Sequence, residues 1–316
     1  MRVFYGLAPF RKLSGRPIAT LGSFDGIHRG HQRILKQIIR RARRKRTISL
    51  LITFDPHPVK VLRPRQFLPL LTCLPHRLRL LSETGLFACW VLPFSRSFSR
   101  LSAELFVKQI LVDRARVSEL WVGFDVAFGR DRKGTLSVLR VLGHRYGFRV
   151  FQIPKVTVGK ERISSSRIRR FVEKGDLSKV ARFLGRSFSI HGSVVRGSGR
   201  GRFLGAPTAN LRLCDQILPP EGVYAVRVRL DKKGYWGLLN LGRRPTFSPA
   251  RKKPVAEVHL LRFKGSLYGK ELEVTFLKKI REERRFSTPL ALGEQIRQDE
   301  KALRNWIARR EIVPPP

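Results

Sequence analysis

Two histidines follow a glycine-rich stretch near the amino terminus of the chain. His28 and His31 are separated by two residues, and three glycines stand between positions 22 and 30. An apolar run, Ile18–Leu21, precedes the stretch, and apolar residues recur at helical spacing from Ile34 onward. This pattern predicts a strand, a glycine-rich turn and a helix. Because glycines let backbone N–H groups approach a ligand and a helix amino terminus favours anions, we expect a nucleotide phosphate site with both imidazoles at the phosphate.

A histidine pair with this spacing also suits other roles. Zinc uses histidine ligands, but it normally needs a third ligand with a second-shell partner, and no cysteine lies nearby in the sequence. Two histidines near a helix start are also typical of helix capping or of an ordinary surface. The glycine-rich sequence around them favours phosphate binding over either alternative.

Length and composition are those of a globular protein with more than one domain. The 316 residues suffice for two hydrophobic cores, and the chain is 42% hydrophobic and 28% charged. Its three cysteines are widely spaced and odd in number, which does not suggest a disulfide framework. No apolar segment has the length of a signal-peptide core or of a membrane span. We therefore expect a cytoplasmic protein that does not enter a membrane.

The chain is strongly basic, with a formal net charge of +42. Such an excess is typical of nucleic-acid binding, but it also arises when a solvated surface is rich in arginine. The basic residues run along the whole chain, with one modest cluster at residues 40–46 and no alternation of aromatic and basic residues. We interpret the charge as a surface property that attracts nucleic acids and other polyanions only non-specifically.

The elements that would position the histidines alternate over residues 16–153. Apolar runs typical of buried strands lie near 17–22, 48–54, 86–92, 119–123 and 148–153, and helical patterns lie near 31–45, 76–84, 102–112 and 134–146. Such alternation predicts an α/β domain with a parallel sheet, whose ligands bind beyond the carboxyl ends of the strands. The glycine-rich stretch lies at such an end.

The pattern changes in the second half of the chain. Residues 165–174 and 176–184 predict two short helices, and Gly185 ends the second, so we place a domain boundary after residue 186. Short β-like runs punctuated by glycine and proline then predict a small antiparallel barrel. A final helix is expected from about Thr288, a candidate N-cap before Pro289, to about residue 310.

Four segments of the first half together are similar to a known family. Gly22–His31 resembles the HxGH signature of nucleotidylyltransferases. The flavin branch of that superfamily is matched by Thr53–Pro58, by Val122–Gly129 and by Ile163–Arg169, which is similar to a Ser-Ser-Thr-x-Ile-Arg element.

Three segments of the second half resemble riboflavin kinases. They are Gly199–Asn210, which ends in Pro-Thr-Ala-Asn, Asn240–Phe247 and Glu257–His259. Both sets together resemble bifunctional riboflavin kinase/FAD synthetase over nearly the whole chain. The resemblance implies an α/β Rossmann-like nucleotidyltransferase domain at residues 1–186 and an antiparallel β-barrel kinase domain with a C-terminal helix at residues 187–316. It also implies that ATP phosphorylates riboflavin to FMN and that a second ATP adenylylates FMN to FAD, with Mg²⁺ as cofactor.

For adenylyl transfer, the resemblance implies that His28 and His31 donate to the α-phosphate of ATP. The other residues expected at the nucleotide or its phosphates are Gly22, Ser23, Phe24, Asp125, Ser164, Ser165, Arg167 and Arg169. Asp125 would hold substrate, and the serines and arginines would receive the pyrophosphate. Plain helix capping is the alternative for the serines. A rigid turn that only walls the pocket is the alternative for Asp55 and His57.

For the kinase step, the resemblance implies a second set of residues. They are Gly199, Gly201 and Arg202 in a phosphate loop, Thr208 and Asn210 at Mg²⁺, Glu257 as general base, and Arg281 and Phe286 at the isoalloxazine ring. Hard oxygen ligands suit Mg²⁺, and a carboxylate can take the proton of the riboflavin hydroxyl. Because Glu257 lies in an alternating apolar segment, a carboxylate that only faces solvent is the alternative. The sequence departs from the family at Ser166, Ala206 and Arg262, and Ala206 would loosen flavin or nucleotide packing.

Overall fold

The computed structural model describes residues 1–7, 15–66, 69–196, 208–243, 254–284, 286 and 288–309. Packing divides the chain into two units. The first consists of Met1–Pro69 and Arg77–Arg167, and the second consists of Leu70–His76 and Ile168–Pro316. The division of activities at residue 186 stays a prediction. Among the described residues, no helix is both long and apolar enough to cross a membrane.

A parallel six-stranded sheet forms the first unit. Its strands are β1 (Arg2–Tyr5), β2 (Ile18–Leu21), β3 (Ser49–Asp55), β4 (Ala88–Pro93), β5 (Glu119–Gly123) and β6 (Arg149–Ile153). Their order is β1-β4-β3-β2-β5-β6, and every neighbouring pair is parallel. The chain moves from β2 to one side and later returns to the other side of β2. The sheet therefore has its topological switch point between β2 and β5, where ligands bind in such folds.

Helices cover this sheet. They are α1 (Arg29–Arg44), α2 (Pro58–Leu62), α3 (Leu74–Ser82), α4 (Arg96–Ser99), α5 (Ala103–Phe106) and α6 (Leu136–Tyr146); Val107–Arg114 continues α5 as a π-helix, and Pro64–Gln66 and Arg130–Arg132 form 3₁₀ turns. The buried face of α1 consists of the residues whose spacing predicted the helix, namely Ile34, Leu35, Ile38, Ile39 and Ala42. Their burial against the sheet fixes the position of the residues at the amino end of α1.

The second unit contains a closed antiparallel barrel. Its strands are β9 (Ser189–Val195), β10 (Thr208–Leu213), β11 (Gly222–Leu230), β12 (Lys233–Arg243), β13 (Pro254–Leu260) and β14 (Glu271–Arg281), in the order β10-β13-β12-β11-β14-β9. Helix α9 (Pro289–Ala308) begins at the N-cap Thr288 and buries Leu303 against Val223, Ala225 and Leu238 of the barrel. The predicted fold class, a parallel α/β domain followed by a small barrel and a C-terminal helix, is confirmed.

Two shorter pairs of elements complete the description. Strands β7 (Thr157–Val158) and β8 (Glu161–Arg162) form a hairpin, and helices α7 (Ser165–Glu173) and α8 (Leu177–Leu184) follow it as predicted. Four strands were not predicted: β1, β7, β8 and β10. Strands β7 and β8 have two residues each, β1 has four and β10 has six, so their local apolar pattern is too brief to distinguish from a loop.

Candidate active sites

Three rings stack where β2 leads into α1. His28 is the N-cap of α1, and its Nδ1 accepts a hydrogen bond of 3.3 Å from the backbone N–H of His31. The two imidazole rings stack with centroids 3.7 Å apart, and His31 stacks in turn on Phe24 at 4.5 Å. The turn of the chain therefore brings both predicted histidines together at the positive end of a helix dipole.

Glycines make room for this stack. A Cβ added to Gly30 would lie 3.1 Å from the His28 ring, and one added to Gly22 would lie 3.3 Å from the Phe24 ring. Both distances are shorter than ordinary contacts of a side-chain carbon. These glycines therefore allow the rings to lie flat against the backbone, and the close approach of a ligand that we expected of them stays a prediction.

The environment of His31 favours its neutral form. Burial lowers the pKa of His31 well below its ordinary value, and the nearby His28 and Arg77 lower it further. Its Nδ1 is buried and has no hydrogen-bond partner among the described residues. Within the same part of the chain, no third His, Cys, Asp or Glu joins His28 and His31 at metal-binding distance. The pair therefore suits an anion with hydrogen-bond acceptors better than a metal ion.

A buried arginine, Arg77, binds the backbone of the loop between β2 and α1, and sequence analysis missed it. Arg77 in α3 is 1% exposed; its Nη1 donates to the carbonyl oxygen of Ser23 at 2.8 Å, and its Nη2 donates to that of Phe54 at 3.1 Å. The hydroxyl of Thr53 also donates to the Ser23 carbonyl oxygen, at 3.3 Å. These bonds tie the carboxyl ends of β2 and β3 together. Nothing in the local spacing distinguishes Arg77 from the many other basic residues of the chain.

The amino end of α7 lies beside the same loop. Ser165 donates through its hydroxyl to the carbonyl oxygen of Asp25 at 2.9 Å. Ser164 accepts a hydrogen bond of 3.3 Å from the backbone N–H of Arg167, which is a capping interaction. Arg169 is partly buried on the following part of α7. Ser164 therefore makes a capping contact, while its expected contact with the pyrophosphate stays a prediction, and Ser165 connects α7 to the loop between β2 and α1.

Asp125 follows β5 and is paired with a residue that sequence analysis did not single out. Arg162 Nη2 donates to Asp125 Oδ2 at 2.9 Å, and the same guanidinium lies 4.1 Å from the centroid of the Phe124 ring. Both partners are largely exposed.

Beyond β3, His57 caps α2 by accepting from the backbone N–H of Val59 at 3.2 Å, which is the contact expected of a rigid turn.

Three polar side chains form a row across the barrel. In the strand register, Asn210 on β10 and Asn240 on β12 both lie directly opposite Glu257 on β13. Residues in register share one face of a sheet, with Cβ atoms about 4.5–5.5 Å apart in antiparallel pairs. Thr208 lies two residues before Asn210 and faces His259 in the next row. The barrel thus brings Thr208, Asn210 and Glu257 to one face, as a shared site requires.

Asn240 belongs to this row although it was not among the predicted site residues. Its Oδ1 is buried and has no hydrogen-bond partner among the described residues. The carboxylate of Glu283 lies against Gly242, two residues further along the same strand face. The next row along includes Leu238, which packs against α9, so the row of polar residues lies on the outer face of the barrel. Only the register of three strands reveals this arrangement, and a local sequence pattern does not contain it.

The last two predicted residues lie together at the end of β14. The guanidinium of Arg281 is 5.7 Å from the centroid of the Phe286 ring. Arg281 also makes a two-pronged ion pair with Asp299 of α9, with Nε–Oδ1 and Nη2–Oδ2 distances of 3.0 and 2.9 Å. Gly199, Gly201, Arg202 and Ala206 lie outside the described residues.

Comparisons with known proteins identify the family. Residues 11–167 match the FAD synthetase family and residues 184–307 match the riboflavin kinase family. A protein of Escherichia coli strain K12 named bifunctional riboflavin kinase/FMN adenylyltransferase is 37% identical over 291 residues, which are 92% of each chain. One of the same name from Buchnera aphidicola subsp. Schizaphis graminum is 33% identical over 309 residues, 97% of this chain and 99% of its own. This chain belongs to the bifunctional riboflavin kinase/FMN adenylyltransferase family.

Membership of the bifunctional riboflavin kinase/FMN adenylyltransferase family confirms the resemblance drawn from the motifs and the expected order of the two activities. A solved structure titled Macrolide-efflux Protein, from Streptococcus pneumoniae, is 29% identical, has a TM-score of 0.81 and covers 97% of this chain and 100% of its own. The FAD synthetase match contains the ring stack, and the riboflavin kinase match contains the row of Asn210, Glu257 and Asn240.

Proposed function

We propose that the two reactions of this enzyme occur at two separate sites, the ring stack of His28 and His31 for adenylyl transfer and the row around Glu257 for phosphorylation. The corresponding modules are residues 1–186 and 187–316. In the second module ATP phosphorylates riboflavin to FMN, and in the first a second ATP converts FMN to FAD. The register that brings Glu257 between two asparagines, far in sequence from the histidines, is the observation that carries the proposal of two sites.

In adenylyl transfer, an FMN phosphate oxygen attacks the α-phosphorus of ATP. A new P–O bond forms, the bond to the β-phosphate oxygen breaks, and pyrophosphate leaves. His28 and His31 donate hydrogen bonds to the α-phosphate oxygens as negative charge increases there. An anion beside His31 opposes the effects that lower its pKa, so nucleotide binding favours its proton-carrying form. The stack on Phe24 holds the imidazoles in place, so that little reorganisation is needed in the transition state.

The remaining groups of the first module orient the two ends of ATP. The backbone of Gly22, Ser23 and Phe24 shapes the pocket around the nucleotide, and Asp125 holds substrate. Ser165 and Arg167, with Ser164 and Arg169, receive the leaving pyrophosphate at the amino end of α7. Backbone N–H groups at a helix start and charged donors such as arginine suit a polyanion, which supports this assignment.

In the kinase step, Glu257 removes the proton from the 5′-hydroxyl of riboflavin, whose oxygen attacks the γ-phosphorus of ATP. The bond to the β-phosphate oxygen breaks and ADP leaves, while the proton remains on the Glu257 carboxyl group. Thr208 and Asn210 offer hard oxygen atoms on the same face, as does the buried Oδ1 of Asn240, and this donor set fits Mg²⁺. Bound there, Mg²⁺ would neutralise phosphate charge. Arg281 and Phe286 contact the isoalloxazine ring, and Gly199, Gly201 and Arg202 contact phosphates.

The assignment of residues to steps is tested by product analysis. Purified protein is incubated with riboflavin, ATP and Mg²⁺, and FMN and FAD are separated by chromatography. A His28→Ala/His31→Ala variant should accumulate FMN without FAD, whereas Glu257→Gln should form FMN only at a strongly reduced, still measurable rate but should convert added FMN to FAD. His144→Ala and Glu294→Gln, which change exposed residues of α6 and α9, are the matched controls and should form both products. Loss of both activities in either site variant would contradict the separation into two sites.

We also propose that this enzyme works in the cytoplasm and meets nucleic acids only through its net charge of +42. All three cysteines are free, which suits a reducing compartment. Binding to RNA in a filter assay should weaken steeply as salt rises and should not depend on sequence. Tight, sequence-selective binding at high salt would contradict this proposal.

A further inference from the structure

Two cysteines and a histidine come together in the second unit, away from the row around Glu257. Cys73 precedes α3, His191 lies on β9 and Cys214 follows β10. One ligand atom of each residue, sulfur or ring nitrogen, lies within 4.8 Å of the other two. Cys73 is buried, the His191 side chain is 12% exposed and Cys214 is partly exposed. The three residues are distant in sequence, so their spacing along the chain does not predict that they lie together.

A network of hydrogen bonds holds the three segments in place. Gln216 accepts from the backbone N–H of His191 at 2.9 Å and donates to the carbonyl oxygen of Leu71 at 3.2 Å. The Cys73 sulfur lies 3.6 Å from the same Gln216 amide oxygen. Gln216 therefore connects the segment that carries Cys73 with the strand that carries His191. A site whose ligands are positioned by a buried polar network needs little rearrangement to bind an ion.

A second layer of buried contacts fixes the same segment on the barrel. His76 Nε2 lies 3.1 Å from Glu273 Oε1, and the Ser189 hydroxyl donates to that oxygen at 2.9 Å. The His76 ring also stacks near His191, with centroids 5.9 Å apart. The backbone around Cys73 and His191 is thus anchored independently of any bound ion.

The donor atoms match the preferences of zinc. Two sulfurs and one imidazole nitrogen are soft to intermediate ligands, which favour Zn²⁺ over Mg²⁺ or Ca²⁺. Tetrahedral zinc with bonds of about 2.0–2.3 Å places its ligand atoms about 3.5–3.8 Å apart. The ligand atoms lie within 4.8 Å of one another, so closing to the zinc spacing requires a relative shift of about 1 Å between them.

The cluster also has an open side and a carboxylate neighbour. It borders a cavity of about 560 Å³ whose lining includes Pro75, Gly192, Arg212 and Glu271. Glu271 Oε2 lies 3.5 Å from His191 Nδ1, so that with Nε2 on a metal ion the Nδ1–H group faces a carboxylate. Carboxylate partners of this kind orient and strengthen metal-bound histidines. His191 and Cys214 themselves line this cavity, so an ion that they hold would be open to water from it.

We propose that Cys73, His191 and Cys214 bind one Zn²⁺ ion, with the fourth position open to the cavity. The ion links the segment Leu70–His76 to the barrel strands of the second unit. This site is separate from the Mg²⁺ proposed for the kinase step, because its ligands are thiolates and an imidazole rather than hard oxygens.

The experiment uses Co²⁺ as a spectroscopic substitute for Zn²⁺. Full-length protein, purified with a reductant and a chelator that is then removed, is titrated with Co²⁺. One equivalent should produce thiolate-to-cobalt charge-transfer absorption, and Zn²⁺ should abolish it by displacement. Histidines alone give no such band, so binding at His28 and His31 is distinguished. The band should be lost in Cys214→Ala and His191→Ala but retained in Cys89→Ala, which removes a buried cysteine of β4 in the first unit.

Two further measurements do not require a variant that disturbs the core. Glu271→Gln, a change at an exposed carboxylate, should weaken Zn²⁺ binding about 10–100-fold. In the unmodified protein, Zn²⁺ should slow alkylation of Cys214. The extent of alkylation is measured by mass spectrometry of the peptide that contains Cys214. The proposal is overturned if no charge-transfer band forms, if Cys214→Ala retains it, or if alkylation is equally fast with and without Zn²⁺.

Discussion

The imidazole rings of His28 and His31 lie face to face at the amino end of α1, with centroids 3.7 Å apart and an interplanar angle of 14°. Two charged imidazoles at this distance would repel each other. The arrangement is therefore stable only when at least one ring is neutral, and His31, whose pKa is lowered well below its ordinary value, is that ring. This relationship ties the geometry of the proposed adenylyl-transfer site to its protonation.

The first prediction concerns the pH dependence of stability. The pKa of His31 in the folded protein lies well below 6.5. As pH falls below 6.5, His31 of the unfolded chain therefore binds a proton, whereas His31 of the folded protein stays neutral. The contribution of His31 to stability is complete above 6.5 and declines at up to about 1.4 kcal/mol per pH unit below that value, until the folded pKa is reached. Denaturant unfolding from neutral to acidic pH should show this loss in the unmodified protein. If the free energy of unfolding of a His31→Gln variant falls equally steeply with pH, the prediction is wrong.

Gly30→Ala should separate stability from activity. The added methyl group would lie 3.1 Å from the His28 ring and displace it. Alanine in a helix is favoured over glycine by up to about 1 kcal/mol, so the free energy of unfolding should change by no more than that amount. FAD formation from FMN should fall by up to about tenfold, because the added carbon shifts the His28 imidazole by a few tenths of an ångström from its position at the phosphate. FMN formation should be unchanged, and an equal loss of both rates would show a general structural effect.

Arg77→Leu should destabilise the first unit and impair FAD formation. The change removes the hydrogen bonds to the carbonyl oxygens of Ser23 and Phe54 in a buried position. We expect a loss of about 2–4 kcal/mol in the free energy of unfolding. Arg79→Leu is the matched control on α3, where the guanidinium pairs with Glu83 one turn away and contributes about 0.5 kcal/mol. If the two variants lose the same stability, the buried arginine does not support the loop.

Sequence patterns predicted those features that arise from neighbouring residues. The buried face of α1 follows from the spacing of Ile34, Leu35 and Ile38, and the histidine pair is contained in one short segment. Features that depend on tertiary packing were not predictable. The row of Asn210, Glu257 and Asn240 requires the register of three strands, and Arg77 reaches the loop from a helix that follows β3. The meeting of Cys73 with Cys214 joins segments that no local pattern connects.

Glu119 should make the first unit sensitive to acid. Its carboxylate is fully buried and lies 2.9 Å from Arg41 Nη2 and 2.8 Å from Lys45 Nζ. Burial alone would raise the pKa of Glu119, but the hydrogen bonds from these two cations lower it to about 2. The stabilisation is therefore complete above 4.5 and is lost as pH falls toward 2. Glu119→Gln should lower the free energy of unfolding by about 2–4 kcal/mol at neutral pH, and its stability should depend less on pH in the acid range. Glu104→Gln, at an exposed ion pair with Arg145, should resemble the unmodified protein in both respects.

Asn240 provides a test of the kinase row that does not depend on removing the general base. Asn240→Ala should change stability little, because the Oδ1 atom has no partner within the part of the chain that the structure describes. If its amide helps to position the groups around Glu257, FMN formation should nevertheless fall about tenfold or more, while FAD formation from FMN stays constant. A double-mutant cycle with Glu257→Gln decides between a shared site and independent effects. Residues that act as a unit give strongly non-additive losses, so Asn240→Ala should cost much less in a Glu257→Gln background. Additive losses in kcat for FMN formation would instead separate Asn240 from the reaction that Glu257 performs.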